Sequence, residues 1–222
     1  MEHAIGPLHQ LAHAQLLIAA EREGWVADAV AAALGPDAQL ALEVSRADHP
    51  LDLDADLKRL LGGRDPHAVL DSLIARSHAR EGASYAALSA AGGDEAEVRL
   101  RLAAMDHGAE IGRRSAAATR AGSGPSVVLD LLTDSLLEGL PCRAALSLVT
   151  DEPDRVEWRH HACPFQASWE SVGASFELSC GVVSAWIRGF ASGVDPSVEY
   201  RRPRALSRGD AWCEHELTVI PS

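Results

Sequence analysis

Residues 141–161 read Pro-Cys-Arg-Ala-Ala-Leu-Ser-Leu-Val-Thr-Asp-Glu-Pro-Asp-Arg-Val-Glu-Trp-Arg-His-His. Here the apolar periodicity of the chain becomes two. From Arg143 to Thr150, Ala144, Leu146 and Leu148 share one face of an extended strand. Asp151 to Asp154 reads as a turn. From Arg155 to His161, Val156, Trp158 and His160 take one face, and Glu157, Arg159 and His161 the other. Two such runs around a turn predict a β-hairpin. Two further strands are expected at 197–206 and 211–220, the last with Cys213, His215, Leu217 and Val219 on one face.

Before this stretch the chain reads differently. Residues 1–122 are rich in Ala, Leu, Glu and Arg and poor in β-branched residues, which favours helix. A helix is expected from Pro7 or Leu8 to about Leu34, with Leu8, Leu11, Ala12, Ala19, Val26 and Val30 as its apolar stripe, a weak point at Gly24 and a stop at Gly35-Pro36. Residues 45–66 hold Asp48, Asp52, Asp54, Asp56 and Asp65. They lack the Gly and closing Glu of a calcium loop and read as an acidic loop entering a short helix. Further helices are expected at 66–80, burying Val69, Leu70, Leu73 and Ile74, and at 95–120, with Val98, Leu102, Met105 and Ala109 inward. Gly92-Gly93-Asp94 divides them. After the break at 121–125 a helix runs to Glu138. Another spans Cys180 to Ala191. The expected fold is α+β, a helical N-terminal half packed on a small, mostly antiparallel four-stranded sheet. By composition it divides into a helical region, 1–122, and an α/β region, 123–222.

The 222 residues carry a formal net charge of −12, so a basic nucleic-acid surface is not expected. Lys58 is the sole lysine, in Asp-Leu-Lys-Arg, which excludes a Walker phosphate loop. No secretory signal and no apolar run of membrane-spanning length is visible, so the expectation is a cytoplasmic chain with no membrane partner and reduced thiols. Cys142, Cys163, Cys180 and Cys213 form no Cys-x-x-Cys pair, and a zinc ribbon is not supported. His9 and His13 are one helical turn apart without a metalloprotease motif and read as surface histidines. Cys142 reads as a packing cysteine at a helix–strand junction.

Chemistry concentrates after residue 150. Cys213 and His215 share the apolar face of one strand, and His160 that of another. Cys180 sits near the expected start of its helix, where the positive end of the dipole suits a nucleophile. Cys163 closes the hairpin ahead of Pro164. One consistent reading makes Cys180 the nucleophile, His160 or His215 the acid–base group and Asp210 an orienting carboxylate, although Asp210 also reads as the turn residue that holds Gly209. One of Arg201, Arg202 and Arg204 could take a substrate carboxylate bidentately. A second reading gathers Cys163, Cys180 and Cys213 with one histidine around zinc or iron. A third is a binding module in which Trp158, Phe165, Phe176 and Trp186 wall an apolar pocket and the cysteines only line it.

Three motifs in order, His161-Ala-Cys163-Pro164-Phe165, then Leu178-Ser-Cys180, then Gly209-Asp210-Ala-Trp-Cys213-Glu, resemble the C-terminal part of the L-2-amino-thiazoline-4-carboxylate hydrolase-like family. The last is also similar to 4-vinyl-reductase-type domains, which are small-molecule binding modules. The resemblance covers about 60 residues and departs at His215, where that family often has an aromatic residue. The likeness to 4-vinyl-reductase-type domains implies an α/β fold shared with a vesicle-tethering complex subunit family, and the resemblance to the hydrolase-like family implies hydrolysis of a thiazoline- or amide-type C–N or C–S bond. A scaffold role with an exposed apolar patch and a homodimer would follow from the tethering-complex likeness.

Overall fold

The computed structural model describes residues 5–120, 122–143 and 146–221. In chain order the helices are α1 (Pro7–Leu34), α2 (Pro36–Asp48), α3 (Leu57–Leu61), α4 (Pro66–Thr119), α5 (Pro125–Ser135), α6 (Gln166–Glu170) and α7 (Phe176–Val194). The strands are β1 (Ser147–Glu152), β2 (Arg155–His160), β3 (Val198–Arg204) and β4 (Cys213–Val219). They form one antiparallel sheet in the order β1-β2-β4-β3. The fold is α+β with a helical N-terminal half. Two compact units share the chain and interleave along it. The first comprises 1–96, 135–144 and 164–175, the second 97–134, 145–163 and 176–222.

The first unit is helical. Ala12, Leu16 and Ala19 of α1 pack with Leu70, Leu73 and Ile74 of α4 and with Leu137 and Leu140. The stripe expected on α1 holds for Ala12, Ala19, Val26 and Val30, whereas Leu8 is half exposed. Gly24 causes no break. Gly93 does interrupt α4, with φ 56° and ψ −140°, in the left-handed half of backbone space where glycine costs least. Asp56 caps α3 through the backbone N–H groups of Lys58 and Arg59. Phe165 packs in this unit, stacked on Trp169 with ring centroids 5.0 Å apart. His9 and His13 do not read as a solvated pair: His13 is buried with Nε2 2.8 Å from the Asp54 carbonyl, while His9 meets His67 edge to face.

His78 is buried in the same unit, its Nε2 3.1 Å from the Leu137 carbonyl. Burial, aided by the charge of Arg22, pushes its pKa down to about 4. The unfolded chain therefore takes up a proton below pH 6.5 that the folded state refuses, so stability falls as pH drops from 6.5 towards 4. The expected slope from this ring is about 1.4 kcal/mol per pH unit at its steepest. Urea midpoints measured from pH 7 to pH 5 should fall less steeply in His78→Gln than in the parent, the amide still donating to the Leu137 carbonyl. Equal slopes would show that His78 is protonated in the folded state.

The second unit places the sheet against α7, which packs on β3. The alternation expected on two strands is borne out: Val156, Trp158 and His160 of β2 are buried, as are Cys213, His215 and Leu217 of β4. Val219 is exposed, because it is the last residue of the strand. The first strand differs from expectation. Residues 141–143 form a 3-10 turn, Ala144 lies outside the described residues, and β1 begins only at Ser147. As an edge strand it leaves Leu148 half exposed. Cys142, expected to pack, is exposed on that 3-10 turn.

The stripe expected on α4 after Gly93 is rotated. Val98 and Leu102 are exposed, while Leu100, Ala104, His107, Gly108, Ile111 and Gly112 face inward. The cause is a close crossing of α4 and α7. A Cβ placed on Gly108 or Gly112 would come within 3.0 Å of the Trp186 or Phe190 carbonyl oxygen. One on Gly189 or Gly193 would do the same at Met105 or Ala109. Glycines at i and i+4 on both helices let the backbones touch, so the smallest residues mark the interface.

Candidate active site

Strand alternation and one helix bring a polar cluster together inside the second unit. His160 and Cys213 are register partners on neighbouring strands, as are Trp158 and His215. Trp158 stacks on His215 at 4.9 Å with the planes 12° apart. The Tyr200 hydroxyl lies 2.8 Å from His215 Nδ1, and His215 Nε2 lies 3.4 Å from His160 Nδ1. Tyr200 also hydrogen-bonds Ser184 of α7. One proton order serves the whole chain: Ser184 donates to Tyr200, Tyr200 to His215 Nδ1, and His215 Nε2–H to His160 Nδ1. Burial pushes the Tyr200 hydroxyl up to about 12. Burial, with His160 and Arg202 nearby, pushes His215 well below the ordinary histidine range. Tyr200 and His215 are therefore neutral at physiological pH, and His215 serves the chain as a hydrogen-bond relay, not as an imidazolium.

Cys180 projects from α7 towards β3. Its sulfur accepts a hydrogen bond from Arg202 Nη1 at 2.8 Å, and the same nitrogen lies 3.3 Å from its carbonyl. The helix begins at Phe176, a turn earlier than expected, so Cys180 is its fifth residue. The helix-dipole argument lapses there, since the effect fades after the first turn. A guanidinium takes that place, donating directly to the sulfur. Arg202 holds its charge firmly: burial works against it, but Tyr200 and Cys180 raise its pKa overall. Its Nε is buried without a hydrogen-bond partner. Cys213 Sγ accepts from the Leu206 N–H at 3.4 Å, and burial pushes this thiol up, keeping it protonated.

Cys180, Arg202, Cys213, His215 and His160 thus belong to one neighbourhood, with Trp158 packed beneath. Other expected residues have separate employment. The Asp210 carboxylate accepts from the Ala205 N–H at 2.7 Å and so ties the loop after β3, as its turn reading implies. Trp186 is fully buried and donates from Nε1 to His107 Nδ1 at 2.9 Å. Arg201 pairs with Glu199, and Arg204 lies over the Trp212 ring. Phe165 packs in the first unit, and Phe176 is half buried at the start of α7. Cys163 is partly exposed beyond the end of β2. Among the described residues no three His, Cys, Asp or Glu side chains stand in an arrangement that could hold a metal ion, so the set of Cys163, Cys180, Cys213 and a histidine is not brought together. No helix among them is long and apolar enough to cross a membrane.

Tyr200 was missing from the sequence expectation. The period of two applied to β3 finds it, since Val198 and Tyr200 alternate inward just as Cys213, His215 and Leu217 do on β4. Compared with known proteins, the chain matches no family model, no curated protein and no solved structure.

Proposed function

We propose that the chain is a thiol-dependent hydrolase acting on a small thiazoline- or amide-type C–N or C–S bond, in line with its resemblance to the L-2-amino-thiazoline-4-carboxylate hydrolase-like family. The observation that carries this reading is the 2.8 Å contact between Arg202 Nη1 and Cys180 Sγ. A sulfur held by a fixed cation is prepared for attack on an electrophilic carbon. The attack forms an S–C bond, and the departing nitrogen or sulfur takes a proton. Water then cleaves the S–C bond and restores the thiol. The Tyr200–His215–His160 chain supplies a path for the proton. The buried Nε of Arg202 is the donor best placed for an anionic group on the substrate, since Arg201 and Arg204 are engaged elsewhere.

The test is turnover of aminothiazoline carboxylates and small amides by the parent, Cys180→Ser and Arg202→Met, with circular dichroism to confirm folding. Turnover should vanish in folded Cys180→Ser and fall in Arg202→Met. Undiminished turnover in Cys180→Ser overturns the reading. Saturable thermal stabilisation by these compounds with no product would instead make the chain a binding module.

A further inference from the structure

We propose that Cys180 and Cys213 close a reversible disulfide when the protein meets a peroxide, a modification that locks the candidate site. The geometry is a single short segment that touches both sulfurs. Arg202 donates to Cys180 Sγ at 2.8 Å, and four residues later the Leu206 N–H donates to Cys213 Sγ at 3.4 Å. Helix α7, which carries Cys180, packs on β3 and also on the 3-10 turn Leu206–Arg208. That segment is braced on itself: Arg208 Nη2 donates to the carbonyls of Arg202 and Pro203, and Asp210 holds the Ala205 N–H. The two sulfurs therefore hang from one fixed corner of the sheet. Cys180 is also among the groups that raise the cost of ionising Cys213, after burial.

The chemistry needs only two thiols and hydrogen peroxide. The Cys180 sulfur attacks one peroxide oxygen, the O–O bond breaks, and Cys180 sulfenic acid and water result. The Cys213 thiol then attacks the sulfenic sulfur, the S–O bond breaks, and a second water leaves as the S–S bond forms. Two electrons pass from the pair of sulfurs to the peroxide. The guanidinium of Arg202 favours the first step by meeting negative charge on the attacking sulfur. Both sulfurs are almost fully buried, which suits a small oxidant and excludes large ones.

As bond formation this inference is independent of the hydrolase reading. As control of turnover it rests on that reading. The experiment treats the full chain with hydrogen peroxide, blocks residual thiols and maps peptides by mass. Cys163 and Cys180 lie together between Arg159 and Arg188, so the map is made on Cys163→Ser as well as on the parent. The expected product is a cross-link between the peptide carrying Cys180 and the one beginning at Gly209, lighter by two hydrogens than the separate pair and reversed by dithiothreitol. The cross-link should be absent in folded Cys213→Ser. Sulfenic or sulfinic adducts alone, or cross-links only through Cys142 or Cys163, overturn the proposal. A Cys180–Cys213 bridge that leaves turnover intact upholds the disulfide and defeats the hydrolase reading.

Discussion

Gly189→Ala should destabilise the second unit by about 3 kcal/mol or more, read as a lowered urea midpoint of its helical signal. The added methyl would lie within 3.0 Å of the Met105 carbonyl oxygen and also crowd the Met105 carbonyl carbon and Cα. All three are backbone atoms of a helix, so no side chain can turn away. Either α4 and α7 separate, or one of them shifts along the other. Separation breaks the same contact at Gly108, Gly112 and Gly193, which makes the cost cooperative. Helix propensity pulls the other way, because alanine gains about 0.5–1 kcal/mol over glycine inside a helix. Gly24→Ala isolates that gain: Gly24 lies within α1, and a Cβ there meets nothing within 4 Å. The same substitution should thus stabilise at 24 and destabilise at 189. Stabilisation at both positions would mean that the two helices are not in contact.

The same crossing shows why one stripe in the sequence misled. Val98, Leu102 and Met105 recur at helical spacing, and that spacing selects them as the core face in preference to the equally apolar Leu100 and Ile111. The face actually buried carries Leu100 and Ile111 beside Ala104, Gly108 and Gly112, and the small residues are there because α7 brings glycines of its own. Where backbones touch, side-chain size falls at the contact, and a scale that rewards bulk gives no weight to the glycines that fix the rotation of the helix. The strands behaved otherwise. Their alternation is set by the pleat, with no choice of rotation, so Val156, Trp158, His160, Cys213 and His215 could be placed inward from spacing alone. The position of β1 could not, since an edge strand buries little and shows a weak pattern.

The candidate site was legible by face but not by pairing. Period-two reading put His160 and His215 indoors. It could not tell that they would bond to one another, nor that Arg202 would turn to Cys180 across 22 residues of chain. The β-bulge between Arg201 and Arg204 lies beside that contact, and the residues themselves carry no plain signal for it. Asp210, by contrast, serves the turn that its setting beside Gly209 suggests, and Gly209 adopts the left-handed conformation with φ 86°.

Glu81→Ala should cost the first unit about 3–5 kcal/mol, the second large effect expected. Arg22 is 1% exposed, and its Nε and Nη2 reach the two Glu81 oxygens at 2.6 and 3.1 Å. The Tyr85 hydroxyl donates to the same carboxylate at 3.0 Å, while the neighbouring Glu23 accepts from Ser84, Arg46 and Arg80. Burial opposes the charge on Arg22, and Glu81 and Tyr85 more than restore it. Removing the carboxylate leaves a guanidinium in the interior with its chief partner gone, and the penalty is that of an uncompensated charge, not of one hydrogen bond. Arg22→Met/Glu81→Leu removes both charges, and with Tyr85→Phe no hydroxyl is left stranded. This triple variant should therefore recover most of the loss, and urea unfolding followed at far-ultraviolet wavelengths gives the comparison. If Glu81→Ala costs under about 1 kcal/mol, water reaches Arg22 and the pair behaves as a surface bridge. If the triple variant is as unstable as Glu81→Ala, the network contributes through shape and not through charge. Nothing in the sequence marks the pair: Arg22 and Glu81 are 59 residues apart. Each sits in an Ala-rich helix among other charges, and only the buried carboxylate and guanidinium facing one another reveal that these two do not belong to the solvated face.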